Sequence, residues 1–169
     1  DGVWWVQDAA ASLAAKLIGD VSGKAVADLC AAPGATALQL ASMGAKLTAI
    51  DISRPRIARL KENAERAKLA FEIVEQDART WRPASLLDAV MIDAPCSALG
   101  IIRRHPESIW RRDPKDFARF PAVQRALIDA AGEMLKPGGR LVYCVATPAA
   151  EEGGDVIEAA IVSGGWRRV

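Results

Sequence analysis

The stretch Asp93-Ala94-Pro95-Cys96-Ser97 sets a thiol three residues after a carboxyl group, at the close of the apolar run that starts at Leu87. Free cysteine packs as a small hydrophobe, so one reading of Cys96 is a turn filler. The other is a thiolate, a nucleophile for covalent catalysis or the partner of one. Three further aspartates, Asp28, Asp51 and Asp77, also end or nearly end short apolar runs. A single such acid is ordinarily a helix N-cap. Four at successive run ends describe a row of carboxyls along one edge of a sheet, and that row is the most informative pattern in the chain.

The elements that must carry these groups alternate. Strand-like runs occupy 24–31, 46–52, 71–77, 87–95 and 139–147, each bounded by Gly, Pro or Asp. Between them, 55–69 turns Ile57, Leu60 and Ala64 to one helical face. The segment 121–139 starts at Pro121, a favoured first helical residue, and stops at Lys136-Pro137-Gly138-Gly139. Strands alternating with helices predict a three-layer α/β domain over 1–169, a mostly parallel sheet with helices on both faces. Ligands of such sheets sit beyond the carboxyl ends of the strands, at the switch in strand order. The first strand end leads into Cys30-Ala31-Ala32-Pro33-Gly34, a small turn that backbone-to-ligand approach requires. Asp51, at the next strand end, suits a ribose-hydroxyl acceptor. Neither a G-x-G-x-x-G fingerprint nor a Walker Lys-Ser/Thr pair follows, which counts against nicotinamide and ATP. An adenosyl cofactor without a pyrophosphate remains: S-adenosylmethionine, with Asp51 at the ribose and Asp77 at the adenine edge.

Composition bounds the partners. Lys and Arg number 22 and Asp and Glu 21, so no global cationic field announces nucleic acid. Cys30, Cys96 and Cys144 are an odd set without metal-type spacing, and His105 is the only histidine. Zinc, a disulfide framework and a Ser-His-Asp triad are thereby disfavoured. No apolar stretch reads as a membrane span and no signal peptide opens the chain, which makes a reduced, cytoplasmic protein the default. Locally, six cations between Arg103 and Arg119 face three acids, with His105 and Trp110 interleaved. A solvated loop and an RNA-contacting one fit that composition equally.

Taken together, Gly2–Leu13, Asp28–Gly34, Ala49–Asn63, the D-A-P-C-S segment continuing to Arg112, Leu135–Tyr143 and Glu151-Glu152 resemble the Sun-type RNA (cytosine-5) methyltransferases. Within them the bacterial small-subunit ribosomal RNA methyltransferase B branch is the nearest likeness. The resemblance implies a Rossmann-like methyltransferase fold that binds S-adenosylmethionine. It places the cofactor's methionine end on the backbone of Cys30, Ala31, Ala32, Pro33 and Gly34, the ribose on Asp51, the adenine on Asp77, and Asp93 between cofactor and base. It assigns RNA contacts to Arg103, Arg104, His105, Arg111 and Arg112, against a packing role for Trp4 and Trp5 on the sheet.

The same resemblance marks departures. The family's attacking cysteine lies in a late Y-A-T-C-S motif, with the Pro-Cys thiol releasing product; here the motif reads Tyr143-Cys144-Val145-Ala146-Thr147. Ala146 holds the nucleophile's position, and Cys144 lies roughly 6.5–7 Å back along the strand. In the cofactor turn the family's Gly-Lys-Thr is Ala35-Thr36-Ala37, and Leu99 replaces a threonine. The family's N-terminal helical RNA-binding domain and last strand pair are not recognisable, with 164–169 read as a sixth strand. The expectation is a catalytic domain that methylates cytosine in ribosomal RNA, impaired at Ala146, and reliant on a missing segment or partner for RNA affinity. The alternative is a non-catalytic RNA-binding or scaffold module on the same fold.

Overall fold

A computed structural model describes residues 2–111 and 113–169. Five strands, β1 (Ala25–Leu29), β2 (Lys46–Asp51), β3 (Glu72–Glu75), β4 (Leu87–Asp93) and β5 (Leu135–Cys144), form one sheet in the order β3-β2-β1-β4-β5, every neighbouring pair parallel. The order reverses between β1 and β4, so the switch point lies where Cys30 and Asp93 emerge. Helices α1 (Ala9–Leu17), α2 (Ala35–Ser42), α3 (Arg54–Ala67), α4 (Pro114–Met134) and α5 (Gly154–Ser163) cover the sheet.

Both faces of the sheet are buried, which is why its central strands read as unbroken apolar runs rather than alternating ones. On one face Leu29, Ile50, Val90 and Ile92 pack with Leu127, Ile128 and Met134 of α4 and Val156 of α5. On the other, Val26, Ala49 and Met91 pack with Ala15 of α1, Leu40 of α2 and Leu60 of α3. The expected three-layer α/β architecture is therefore present.

Several boundaries differ from the sequence expectation. Helix α4 begins at Pro114, seven residues before Pro121, and carries Pro121 in its interior. The Asp113 carboxylate accepts the Lys115 N–H at 2.8 Å, so Asp-Pro is the true start signal. The helix ends at Met134 because Leu135 already pairs with Leu87; Lys136 to Gly139 then form an irregularity before Arg140 resumes the ladder opposite Ala89. Residues 164–169 join no strand, since Gly164 and Gly165 take positive φ and Trp166 folds back onto Gly132 of α4. Trp4 does not pack on the sheet: it is 64% exposed, its carbonyl accepting from Arg66 of α3. Trp5 is half-buried and donates to the Gln7 side chain instead.

Candidate active site

The carboxyl edge of the sheet gathers the acids and thiols that the sequence spreads over more than a hundred residues. A cleft of about 290 Å³ opens there, lined by Cys30, Asp51, Ile52, Asp77, Ala78, Asp93, Pro95 and Leu127 among others. It falls at the small end of the range for ligand pockets.

The turn after β1 is shaped by backbone constraints. Cys30 takes a left-handed φ of 70°, and Gly34 a φ of 115°. A Cβ on Gly34 would meet Leu60 Cδ1 at 2.4 Å, so only glycine lets α2 start against α3. The turn is tied down from β2 and α3: Ala31 N–H donates to the Ile50 carbonyl at 2.9 Å, Asn63 Nδ2 to the Pro33 carbonyl at 3.0 Å, and Arg56 to the Ala32 carbonyl. Thr36, where the family pattern has lysine, is buried in the first turn of α2.

Asp51 is 2% exposed and heavily engaged. Its Oδ1 accepts the Ser53 N–H at 2.8 Å; its Oδ2 accepts the Ala32 N–H at 3.1 Å and pairs with Arg56 at 3.4 Å. It therefore holds the turn as well as facing the cleft. Asp77, two residues past β3, is gripped by the Arg79 guanidinium through Nε at 3.0 Å and Nη2 at 2.5 Å. Those bonds hold its carboxyl below the usual range. Asp28 lies inside β1, fully buried, and neither oxygen has a hydrogen-bond partner among the described residues. Burial, then the like charges of Asp93 and Asp51, push it well above the ordinary carboxylate range.

The thiols belong to the β4–β5 side. Cys96 Sγ accepts the Ala146 N–H at 3.3 Å, bringing the Pro-Cys thiol against the position of the family's attacking cysteine. Gly100 closes the other side: its N–H donates to the Ala146 carbonyl at 2.9 Å, and a Cβ on it would meet that same oxygen at 2.9 Å. Cys144 does not turn to position 146; its thiol donates to Asp93 Oδ1 at 3.7 Å. Burial pushes Asp93, Cys96 and Cys144 all upward. For Cys96 the N–H groups of Ala146 and Ala98 pull the other way.

The basic segment follows the short turn Leu99–Ile101 that touches Ala146. Arg103, Arg104 and His105 are exposed; Arg104 pairs with Asp8 at 3.0 Å and His105 contacts Glu107 at 3.2 Å. Trp110 is 88% exposed. Arg111 ends the short helix Pro106–Arg111, and Arg112 lies outside the described residues. Residues that sequence reasoning missed are Arg56 and Arg79, which neutralise the cleft acids, and Gln124 and Glu152, which converge behind Cys96.

Comparison with known proteins agrees with this geometry. Residues 16–164 match the family model described as 16S rRNA methyltransferase RsmB/F. The chain is 39% identical over 152 residues to ribosomal RNA small subunit methyltransferase B of Erwinia tasmaniensis, covering 87% of this chain and 35% of that protein. The Vibrio cholerae protein of the same name is 40% identical over 150 residues, covering 85% and 35%. The chain thus spans about a third of the length of these relatives. Among solved structures, NSun6 from Pyrococcus horikoshii with SFG superposes with a TM-score of 0.86 at 29% identity, over 96% of this chain and 43% of that one. The structure of PH0851 does so with a TM-score of 0.90 at 32% identity, over 96% and 38%. By fold, strand-end motifs and sequence, the chain belongs to the RsmB/F family of 16S rRNA methyltransferases.

Proposed function

We propose that this domain methylates carbon 5 of cytosine in small-subunit ribosomal RNA, with S-adenosylmethionine as donor, and that its covalent step is impaired at Ala146. The carrying observation is the 3.3 Å contact of Cys96 Sγ with the Ala146 N–H, beside the Asp93 carboxyl at the rim of the cleft.

The residues present fit the cofactor. Ile52, Ala78, Pro95 and Leu127 give the cleft apolar walls for a flat ring, and Asp77 stands at its polar edge. The turn from Cys30 through Ala31, Ala32 and Pro33 to Gly34 offers backbone for the methionine end, with Asp51 at the ribose. When bound, S-adenosylmethionine supplies an electrophilic methyl group. Asp51 and Asp77 keep their present partners or share them, so binding requires the exposed Arg79 to yield part of Asp77.

Carbon 5 of cytosine is a poor nucleophile. A thiolate that adds to carbon 6 makes carbon 5 enamine-like; after methylation, loss of the carbon 5 proton and expulsion of the thiolate restore the ring. Asp93, whose solvent-reaching carboxyl stands at the rim of the cleft and is raised by partial desolvation, suits a hydrogen bond to N3 of the base as charge develops. The base must leave its stack to arrive there, with Arg103, Arg104 and His105, joined by Arg111 and Arg112, holding the adjoining phosphates. At position 146 a methyl side chain cannot attack, so the covalent route is closed from that residue. One observation favours a second reading, with Cys96 as the attacking group: its sulfur already receives two backbone N–H groups, which favour thiolate. RNA affinity depends in part on another segment or a partner protein, because few local charges are available to release counterions.

Calorimetry with S-adenosylmethionine, followed by tritiated methyl transfer to unmodified small-subunit RNA, tests the proposal. Binding with transfer far below that of Ala146→Cys is expected. No binding at millimolar cofactor would leave the non-catalytic RNA-binding module standing.

A further inference from the structure

Glu152 ends the short helical turn Ala150–Glu152 and is 1% exposed. A glutamate is almost never fully buried unless paired, yet no cation pairs with Glu152 among the described residues. Its Oε2 instead accepts the Ser97 N–H at 2.8 Å and Gln124 Nε2 at 3.2 Å. Gln124, fully buried on α4, donates from the same nitrogen to the Pro95 carbonyl at 2.9 Å. The peptide groups on both sides of Cys96 are thus held by one buried acid–amide pair. A second tie runs from Ser97 Oγ to Thr147 Oγ1 at 2.8 Å, next to the residue whose N–H reaches the Cys96 sulfur. Tyr143, near the end of β5, donates its hydroxyl to the Glu152 carbonyl at 2.6 Å and fixes the acid's own backbone.

Packing alone does not call for this arrangement. Among the described residues the second oxygen of Glu152 and the Gln124 carbonyl oxygen have no hydrogen-bond partner, so an apolar pair of similar volume would fill the space without orphaned acceptors. What the polar pair adds is direction: it grips one carbonyl and one N–H that flank a single thiol.

We propose that Glu152, with Gln124, is a positioning residue that fixes the Cys96 thiol against residue 146. The proposal rests on Cys96 belonging to the active site, but its test requires neither cofactor nor RNA. Iodoacetamide alkylation of the whole chain, followed for Cys30, Cys96 and Cys144 by mass spectrometry across pH, reads each thiol separately. Above the thiol titration the rate reports access. There Glu152→Ala raises the Cys96 rate about fivefold or more, while the other two cysteines change less than about twofold. Gln124→Met, which keeps volume and removes both amide ties, raises the Cys96 rate in the same selective way. Glu152→Gln retains an acceptor for Ser97 and leaves the high-pH rate unchanged. It moves the Cys96 titration midpoint down, because the Glu152 charge helps hold that thiol up. An unchanged Cys96 rate in Glu152→Ala and Gln124→Met overturns the proposal, as does a rise shared equally by all three thiols, which is simple loss of structure. If Glu152→Ala fails to fold, the Gln124→Met and Glu152→Gln arms decide it. Failure of the parent chain to bind S-adenosylmethionine would sink the proposed function and leave this thiol pattern untouched.

Discussion

The two halves of the strand-end edge solve the problem of buried polar groups in opposite ways. On the β2–β3 side, both cleft acids have guanidinium partners: Asp51 has Arg56 as well as two backbone N–H groups, and Asp77 has Arg79. Both carboxylates are held in place by these partners and present oxygens to the cleft. On the β4–β5 side no ion pair reaches Asp93 among the described residues; its side chain meets solvent, and partial desolvation raises its carboxyl, while burial raises the thiols of Cys96 and Cys144 and the hydroxyl of Tyr143. One half pairs its acids with cations; the other sets a carboxyl and two thiols side by side without one. Asp28, on β1 at the seam, belongs with the second half although it sits beside the first.

The strongest way to probe that contrast is to put a thiol on the β4–β5 side where it lacks one. Ala146 is exposed and its peptide is already gripped from both sides, so Ala146→Cys fits without repacking. On the proposed mechanism, in which the covalent route is closed at Ala146, tritiated methyl transfer to unmodified ribosomal RNA rises about a hundredfold or more over the parent. On the charged half, Asp51→Ala removes a hydrogen-bond acceptor and the anchor of Ala32 together. Loss of charge-assisted bonds worth about 1.5–3 kcal/mol weakens S-adenosylmethionine binding by roughly tenfold to a hundredfold, measured by calorimetry.

A change at the seam reads out as stability. Because the folded-state pKa of Asp28 is raised, its contribution is fully present below the unfolded value of about 3.9 and is lost as pH rises through the folded value. Asp28→Asn removes that loss, so the stabilities read from urea melts at pH 5 and pH 8 differ less in the variant than in the parent. Equal differences would mean that Asp28 ionises without penalty. The smallest effect is expected at Arg79, which is 45% exposed. Arg79→Ala frees Asp77 from a surface pair worth about 0.2–1 kcal/mol, and S-adenosylmethionine affinity rises by up to about fivefold.

The sheet was legible because its strands bury both faces and end in turn residues: Leu87–Asp93 is an apolar run closed by an acid, as it appears in the chain. Helix α4 was legible only in its second half. Pro121 drew attention as a start, whereas Asp113-Pro114 carries the same signal seven residues earlier, ahead of a more polar first part of the helix. The row of acids was legible as positions but not as pairs. Whether Asp77 is met by Arg79 depends on how two residues of loop curl back, and spacing does not encode that path. Glu152 was legible as part of the family resemblance but not as a buried partner of the Cys96 segment, because Gln124 and Ser97 reach it from 28 and 55 residues away.

On the proposed mechanism residue 146, not Cys96, decides whether this chain can form a covalent bond to its base. RNA carrying 5-fluorocytosine traps such a bond, because the fluorine that replaces the carbon 5 hydrogen cannot leave as a proton. Incubated with that RNA and S-adenosylmethionine, the parent chain should give no denaturation-resistant adduct, and Ala146→Cys should give one. An adduct in the parent that disappears in Cys96→Ser would contradict the claim and make Cys96 the attacking thiol.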